Sequence, residues 1–141
     1  MRKTKSLAVT VAALLGLFSL ALASVVIVDF KAEPGHDKVT LKWRVRAERN
    51  VEAYEVQRSA SREAAFTRVG RVKAEGPFSV ETVHEYTYVD KSVFKTTGQT
   101  YYYRLKIIET NGAFSFSSVV SVTPQISSAR HTWGSIKAMF R

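Results

Sequence analysis

The chain contains no cysteine. That excludes a disulfide framework, a thiolate zinc site and a lipid-modified cysteine at an export cleavage site. Also missing is any ten-residue helical pattern between the apolar stretches of residues 25–124, so repeated strand–helix–strand units are excluded. There is no Gly-x-Ser-x-Gly elbow, no glycine-rich phosphate loop leading from a strand into a helix, and no Arg-Gly-Asp tripeptide. The three histidines, His36, His84 and His131, show no metal-ligand spacing.

A hydrophobic fraction of 45% over 141 residues is enough for the core of one domain, and 23% charged residues is ordinary. The formal net charge is +9. Arg2, Lys3 and Lys5 contribute three of the 21 basic residues, so the chain without residues 1–23 has 18 bases, 12 acids and a charge of +6. A charge of that size gives a weak, salt-screened attraction to anionic surfaces and says little about fold.

Arg2, Lys3 and Lys5 precede an apolar run over residues 7–20, and Ala21 and Ala23 put small residues where a signal peptidase needs them. This pattern predicts a signal peptide over residues 1–23, cleaved before Ser24, and hence an exported protein: extracellular, at the cell surface or periplasmic. The alternative is an uncleaved anchor, because no charge occurs from Ser6 to Val28 and the run is just long enough to span a bilayer. The rest of the chain would then be displayed outside a membrane.

Residues 38–46 alternate most cleanly. Val39, Leu41, Trp43 and Val45 share one face, and Lys38, Thr40, Lys42, Arg44 and Arg46 share the other. Residues 25–33 predict a strand with Val26, Val28, Phe30 and Ala32 inward, followed by a turn at Pro34-Gly35-His36-Asp37. Residues 52–58 place Tyr54 and Val56 inward, and residues 47–50 read as a polar connection. In residues 66–73 the apolar positions Phe66, Val69 and Val72 fall every third residue, which fits either a bulge at Gly70 or an irregular edge strand. Residues 84–89 put Tyr86 and Tyr88 inward, and Phe94 plugs the following connection. Residues 101–108 put Tyr101, Tyr103, Leu105 and Ile107 inward and Tyr102, Arg104 and Lys106 outward. Asn111-Gly112 marks a hairpin into a last strand over residues 113–123, with Phe114, Phe116, Val120 and Val122 packing. Seven short strands and no helix predict an all-β, antiparallel, immunoglobulin-like sandwich of two sheets over residues 24–124.

These residues resemble a fibronectin type III domain of the kind found in secreted bacterial proteins. The likeness lies in Val39 to Trp43, Tyr54 to Arg58, Thr100 to Leu105 and Val119 to Pro124. It implies that Trp43 is the buried strand-B tryptophan and that Tyr101 is the corner tyrosine, its hydroxyl bonding backbone across the preceding connection. Tyr54, Tyr103 and Leu105 complete the expected structural core. The sequence departs from the family in lacking Leu-x-Pro before Tyr101.

No catalytic, cofactor or metal residues are identified, and no cofactor is expected. The expected protein is therefore a non-catalytic interaction or structural module of the bacterial envelope or exterior, with an accessory carbohydrate-binding module as the alternative. That alternative needs exposed aromatics in a row, for which Tyr102 and Phe78 are the candidates. Lys42, Arg44 and Arg46 are candidates for an anionic glycan or membrane surface, partly neutralised by Asp29 and Glu85. Nucleic acid is not expected, because no aromatics interleave on that strand face. Residues 125–141 form a linker and a basic, amphipathic tail. On a helix, Trp133, Ile136 and Phe140 would share one side, with Lys137 and Arg141 supplying charge. Such a short helix needs something to dock on or it frays: it packs back on its own sandwich, lies on a membrane surface, or is read by a protein or envelope partner in docking or sorting, for which these five residues are the candidates.

Overall fold

The computed structural model describes residues 23–93 and 98–125. The signal segment, Phe94 and the tail bearing Trp133, Ile136, Lys137, Phe140 and Arg141 lie outside the described residues. Eight strands and no helix are found among those described: β1 (Val26–Gly35), β2 (Lys38–Arg46), β3 (Val51–Ser59), β4 (Thr67–Lys73), β5 (His84–Asp90), β6 (Tyr101–Glu109), β7 (Phe114–Phe116) and β8 (Val120–Val122). They form two antiparallel sheets, β1-β2-β5 and β4-β3-β6-β7, with β8 also on β6. The sheets pack as a sandwich, because each strand has one apolar face and two sheets bury those faces against each other.

The core lies where the alternation is cleanest. Val39, Leu41, Trp43 and Val45 of β2 are fully buried and meet Tyr54, Val56, Tyr103 and Leu105 of the opposite sheet. Each such side chain contributes about 1.5–3 kcal/mol by leaving water. Trp43, Tyr54 and Tyr86 form an aromatic triangle with ring centres 5.0–5.5 Å apart. The first hairpin turns tightly: Gly35 pairs with Lys38, leaving His36 and Asp37 as its tip, with Asp37 at φ 55°.

Three strands differ from the simple alternation, and all three lie at sheet edges. In β1 the register slips between Ile27 and Asp29. Val25 and Ile27 therefore pack inward before the slip, and Phe30 and Ala32 after it, while Val26 and Val28 are exposed. This corrects the inward assignment of Val26 and Val28, since one extra residue reverses the face of everything beyond it.

In β4, Val56 pairs with Gly70 and Gln57 with Arg68, so the extra residue is Val69. β4 is thus both bulged and an edge strand. Val69 and Val72 pack on the core, while Phe66 turns outward to Arg104. Gly70 leaves room for Tyr88, which crosses from the other sheet and donates its hydroxyl to the Val69 carbonyl at 2.6 Å; a Cβ at Gly70 would overlap the Tyr88 ring.

The seventh expected strand is two short ones, so the count of seven becomes eight. β8 pairs Val120 with Tyr103, and β7 pairs Phe116 with Lys106, one residue out of step. Ser117 makes the break. Its amide donates to the Leu105 carbonyl at 2.9 Å, and its hydroxyl accepts the Leu105 amide at 2.8 Å in place of a backbone oxygen. Val120 and Val122 consequently pack on the core, whereas Phe114 and Phe116 face solvent, which corrects their assignment as packing residues. Bulged or very short edge strands also resist pairing with further chains.

Candidate functional site

The slip at Ser117 builds an exposed aromatic surface on β7. On the outer face of the five-stranded sheet, Lys106 and Arg104 of β6 alternate with the inward Leu105 and Tyr103. β7 lies beside them with Phe116 opposite Lys106 and Phe114 opposite Ile108. Phe114 is 57% exposed and Phe116 45%. The Arg104 guanidinium lies between two rings, 3.9 Å from the centre of Phe116 and 4.3 Å from that of Phe66. The Lys106 ammonium sits 4.3 Å from the centre of Phe114, and Arg62 lies 5.9 Å over Tyr102. Each cation is attracted to the negative face of a ring. Gln57 of β3 fixes Arg104 further, accepting from its Nε at 2.8 Å, and donates to Glu55 at 2.8 Å. Arg104 therefore links the residue that leads into β4 with β7 across the centre of the sheet and orients the Phe116 ring.

The opposite face is different in kind. Lys31 pairs with Asp29 at 2.9 Å, Lys42 with Glu33 at 2.9 Å and Arg44 with Asp29 at 3.3 Å. Hydrogen bonding to Lys31 leads the effects that hold the Asp29 carboxyl below its ordinary value, and Glu33 likewise raises Lys42. Of the three cations proposed for anionic surfaces, Lys42 and Arg44 thus have carboxylate partners within their own sheet, while Arg46 is exposed opposite Val26 at its end. Among the described residues, Arg62, Lys73, Arg104 and Lys106 of the five-stranded sheet and its adjoining loop have no such partner within 4.0 Å. Arg71 pairs with Glu52 at 2.5 Å, and Arg68 reaches Glu55 only at 3.9 Å.

Two buried carboxylates fix the frame that carries these faces. Glu48 lies in the connection read as polar, yet it is 1% exposed. Its oxygens accept from the hydroxyl of Tyr54, from that of Tyr86 at 2.9 and 3.0 Å, and from the Gly76 amide at 2.7 Å. Burial first, then the hydrogen bond to Glu48, drives the Tyr54 hydroxyl far above the ordinary tyrosine range. Glu48 also lines a cleft of about 610 Å³ with Arg49, Val51, Pro77 and Thr110. Its hydrogen-bond partners are neutral donors: two tyrosine hydroxyls and a backbone amide.

The second carboxylate is Asp90, at the end of β5. It accepts from Arg58 at 2.6 Å, from the Tyr103 hydroxyl at 2.8 Å, and from the Ser92 amide and hydroxyl at 2.9 and 2.6 Å. Burial opposes its charge, but the Ser92 bonds, Tyr103 and Arg58 together hold the carboxyl below its ordinary value. Arg58 also lies 5.0 Å over the Tyr101 ring.

Trp43, Tyr54, Tyr103 and Leu105 are fully buried, while Tyr101 is partly buried against the core. The connection that the Tyr101 hydroxyl is expected to cross includes residues 94–97, which lie outside the described residues. Tyr102 lies on the outer face under Arg62, whereas Phe78 is half-buried and stacks on His84 at 4.3 Å. Sequence reasoning missed Phe66, Phe114 and Phe116 as surface aromatics. The available signal was the Ser117-Ser118 pair interrupting the alternation. It missed Glu48 because a buried carboxylate in a short polar connection leaves no periodic trace.

No protein-family model and no curated protein matches the chain. Solved structures share its fold. The pectate lyase PelI from Erwinia chrysanthemi, in complex with tetragalacturonic acid, is similar with a TM-score of 0.52 and 21% identity over 71% of this chain. OgpA from Akkermansia muciniphila is similar with a TM-score of 0.55 and 12% identity over 75%. This chain spans only 28% of that lyase and 30% of OgpA. A Fn3-like protein from Clostridium thermocellum matches over nearly all of its own length, with a TM-score of 0.50 and 20% identity over 74% of this chain and 96% of its own. The likeness is one of fold: a fibronectin-like, all-β sandwich of two antiparallel sheets.

Proposed function

We propose that the chain is an exported, non-catalytic module that contacts carbohydrate through the outer face of its five-stranded sheet. The observation that carries this reading is the array of Phe114 and Phe116, exposed on β7 and each backed by a cation of β6. Rings held rigid by a neighbour and open to water lose little entropy when a sugar ring stacks on them. Export follows from the address in residues 1–23. The fold likeness to part of a pectate lyase and to a Fn3-like protein agrees with a carbohydrate-related setting.

The tail residues Trp133, Ile136, Lys137, Phe140 and Arg141 supply a separate contact, to a protein or envelope component, that anchors or sorts the module. The test of the main reading is a glycan array probed with the exported protein and with its Phe114→Ala/Phe116→Ala variant. The reading expects binding to at least one glycan class, lost in a variant that melts at the same temperature. Binding by the variant equal to wild type, or no binding to any glycan, contradicts it.

A further inference from the structure

We propose that the ligand of this face is an acidic polysaccharide: a chain of uronic-acid sugars whose rings rest on Phe114 and Phe116 and whose carboxylates meet Lys106 and the neighbouring cations. This inference rests on the carbohydrate reading and names its chemical class.

Charge complementarity selects the class. Among the described residues, the two sheets differ in where their unmatched cations lie: on the three-stranded sheet these are Lys38 and Arg46, at the two ends of β2, and on the five-stranded sheet they include Arg104 and Lys106, beside the exposed rings, although Arg68 and Arg71 there reach Glu55 and Glu52. On the three-stranded sheet, Lys31, Lys42 and Arg44 are matched by Asp29 and Glu33. On the five-stranded sheet, Lys73, Arg104 and Lys106 have no carboxylate within 4.0 Å among the described residues, and Arg62 in the adjoining loop is in the same position. A face with surplus positive charge draws an anionic ligand and raises its rate of encounter. Lys106 and Arg104 sit against the rings, so an anion paired with either brings the rest of its molecule onto an aromatic surface. An acidic sugar presents both features in one unit, a ring with apolar C–H groups and a carboxylate on its rim.

The geometry disfavours other occupants. An acidic peptide adding as a strand needs a long regular free edge, whereas β7 beside the rings has three residues and β4 at the other edge is interrupted by its bulge at Val69. The chain's own tail carries Arg130, Lys137 and Arg141, which the surplus positive charge repels.

The experiment titrates the full exported protein with polygalacturonate, its fully methyl-esterified form, a neutral glucan of equal length, polyglutamate and a single-stranded oligonucleotide. The inference predicts binding to polygalacturonate that weakens about tenfold when salt screens the face. It also predicts at least about tenfold weaker binding to the other four polymers. Lys106→Gln lowers polygalacturonate affinity about fivefold or more, whereas Lys42→Gln on the other sheet leaves it unchanged. Equal binding of the esterified polymer or the neutral glucan overturns the acidic class while leaving the carbohydrate reading intact. Equal or tighter binding of polyglutamate or the oligonucleotide shows that charge alone, or base stacking, governs the face, and overturns both. Binding to none of the five overturns the inference, and the glycan array then decides the broader reading.

Discussion

The Tyr86 hydroxyl donates to both oxygens of Glu48, at 3.0 and 2.9 Å, and with Tyr54 and the Gly76 amide it surrounds a carboxylate that is 1% exposed. This arrangement pins the connection between β2 and β3 to the aromatic triangle of the core. Glu48→Ala leaves two buried hydroxyls without their acceptor, each costing about 1–3 kcal/mol. Urea denaturation is expected to show a loss of about 3 kcal/mol. A loss below about 1 kcal/mol contradicts a structural role for the carboxylate.

Gly70 and Tyr88 lock an edge of one sheet to the other. Gly70→Ala forces its new methyl group into the Tyr88 ring and is expected to cost about 2 kcal/mol, as overpacking does. Adding Tyr88→Ala removes the clash, so the double variant is less destabilised than the sum of the two single variants. A double-mutant cycle by urea denaturation measures the coupling, and additivity contradicts the contact.

Asp90 makes stability depend on acid. Its carboxyl is held below its ordinary value of 3.8, so its contribution is complete above that value and is lost as pH falls through the folded-state value. Asp90→Asn is expected to cost about 2–3 kcal/mol at pH 7, because Arg58 loses its charged partner in a mostly buried site. The gap between wild type and variant shrinks as pH drops below 3.8, toward the folded-state value. Melting temperatures of both proteins from pH 7 to pH 2 check the sign, and a gap that widens in acid contradicts it.

The sequence made β2, β3 and β6 legible because each is a central strand with one buried face, where alternation maps directly onto burial. Val39, Leu41, Trp43 and Val45 needed no structure to be placed inward. Edge strands carry weaker constraints. The slips at Val28 and Ser117 each reverse a face, so Val26, Val28, Phe114 and Phe116 keep an alternating pattern while pointing to solvent. The basic stripe of Lys42 and Arg44 was legible as a row of charges, but its pairing with Glu33 and Asp29 follows from the β1–β2 register. The candidate face depends on the same kind of long-range fact: Phe66, Arg104 and Phe116 are far apart in sequence and meet only because β4, β3, β6 and β7 lie side by side.

Carbohydrate is proposed to meet the face of Phe114 and Phe116 and not the opposite sheet. The most direct measurement is amide chemical-shift mapping of isotope-labelled protein titrated with oligogalacturonate. The shifted amides are expected to cluster at Phe66, Tyr102, Arg104, Lys106, Phe114 and Phe116, with β1, β2 and β5 unmoved. Shifts centred on Lys42, Arg44 and Arg46, or none at saturating sugar, would contradict it.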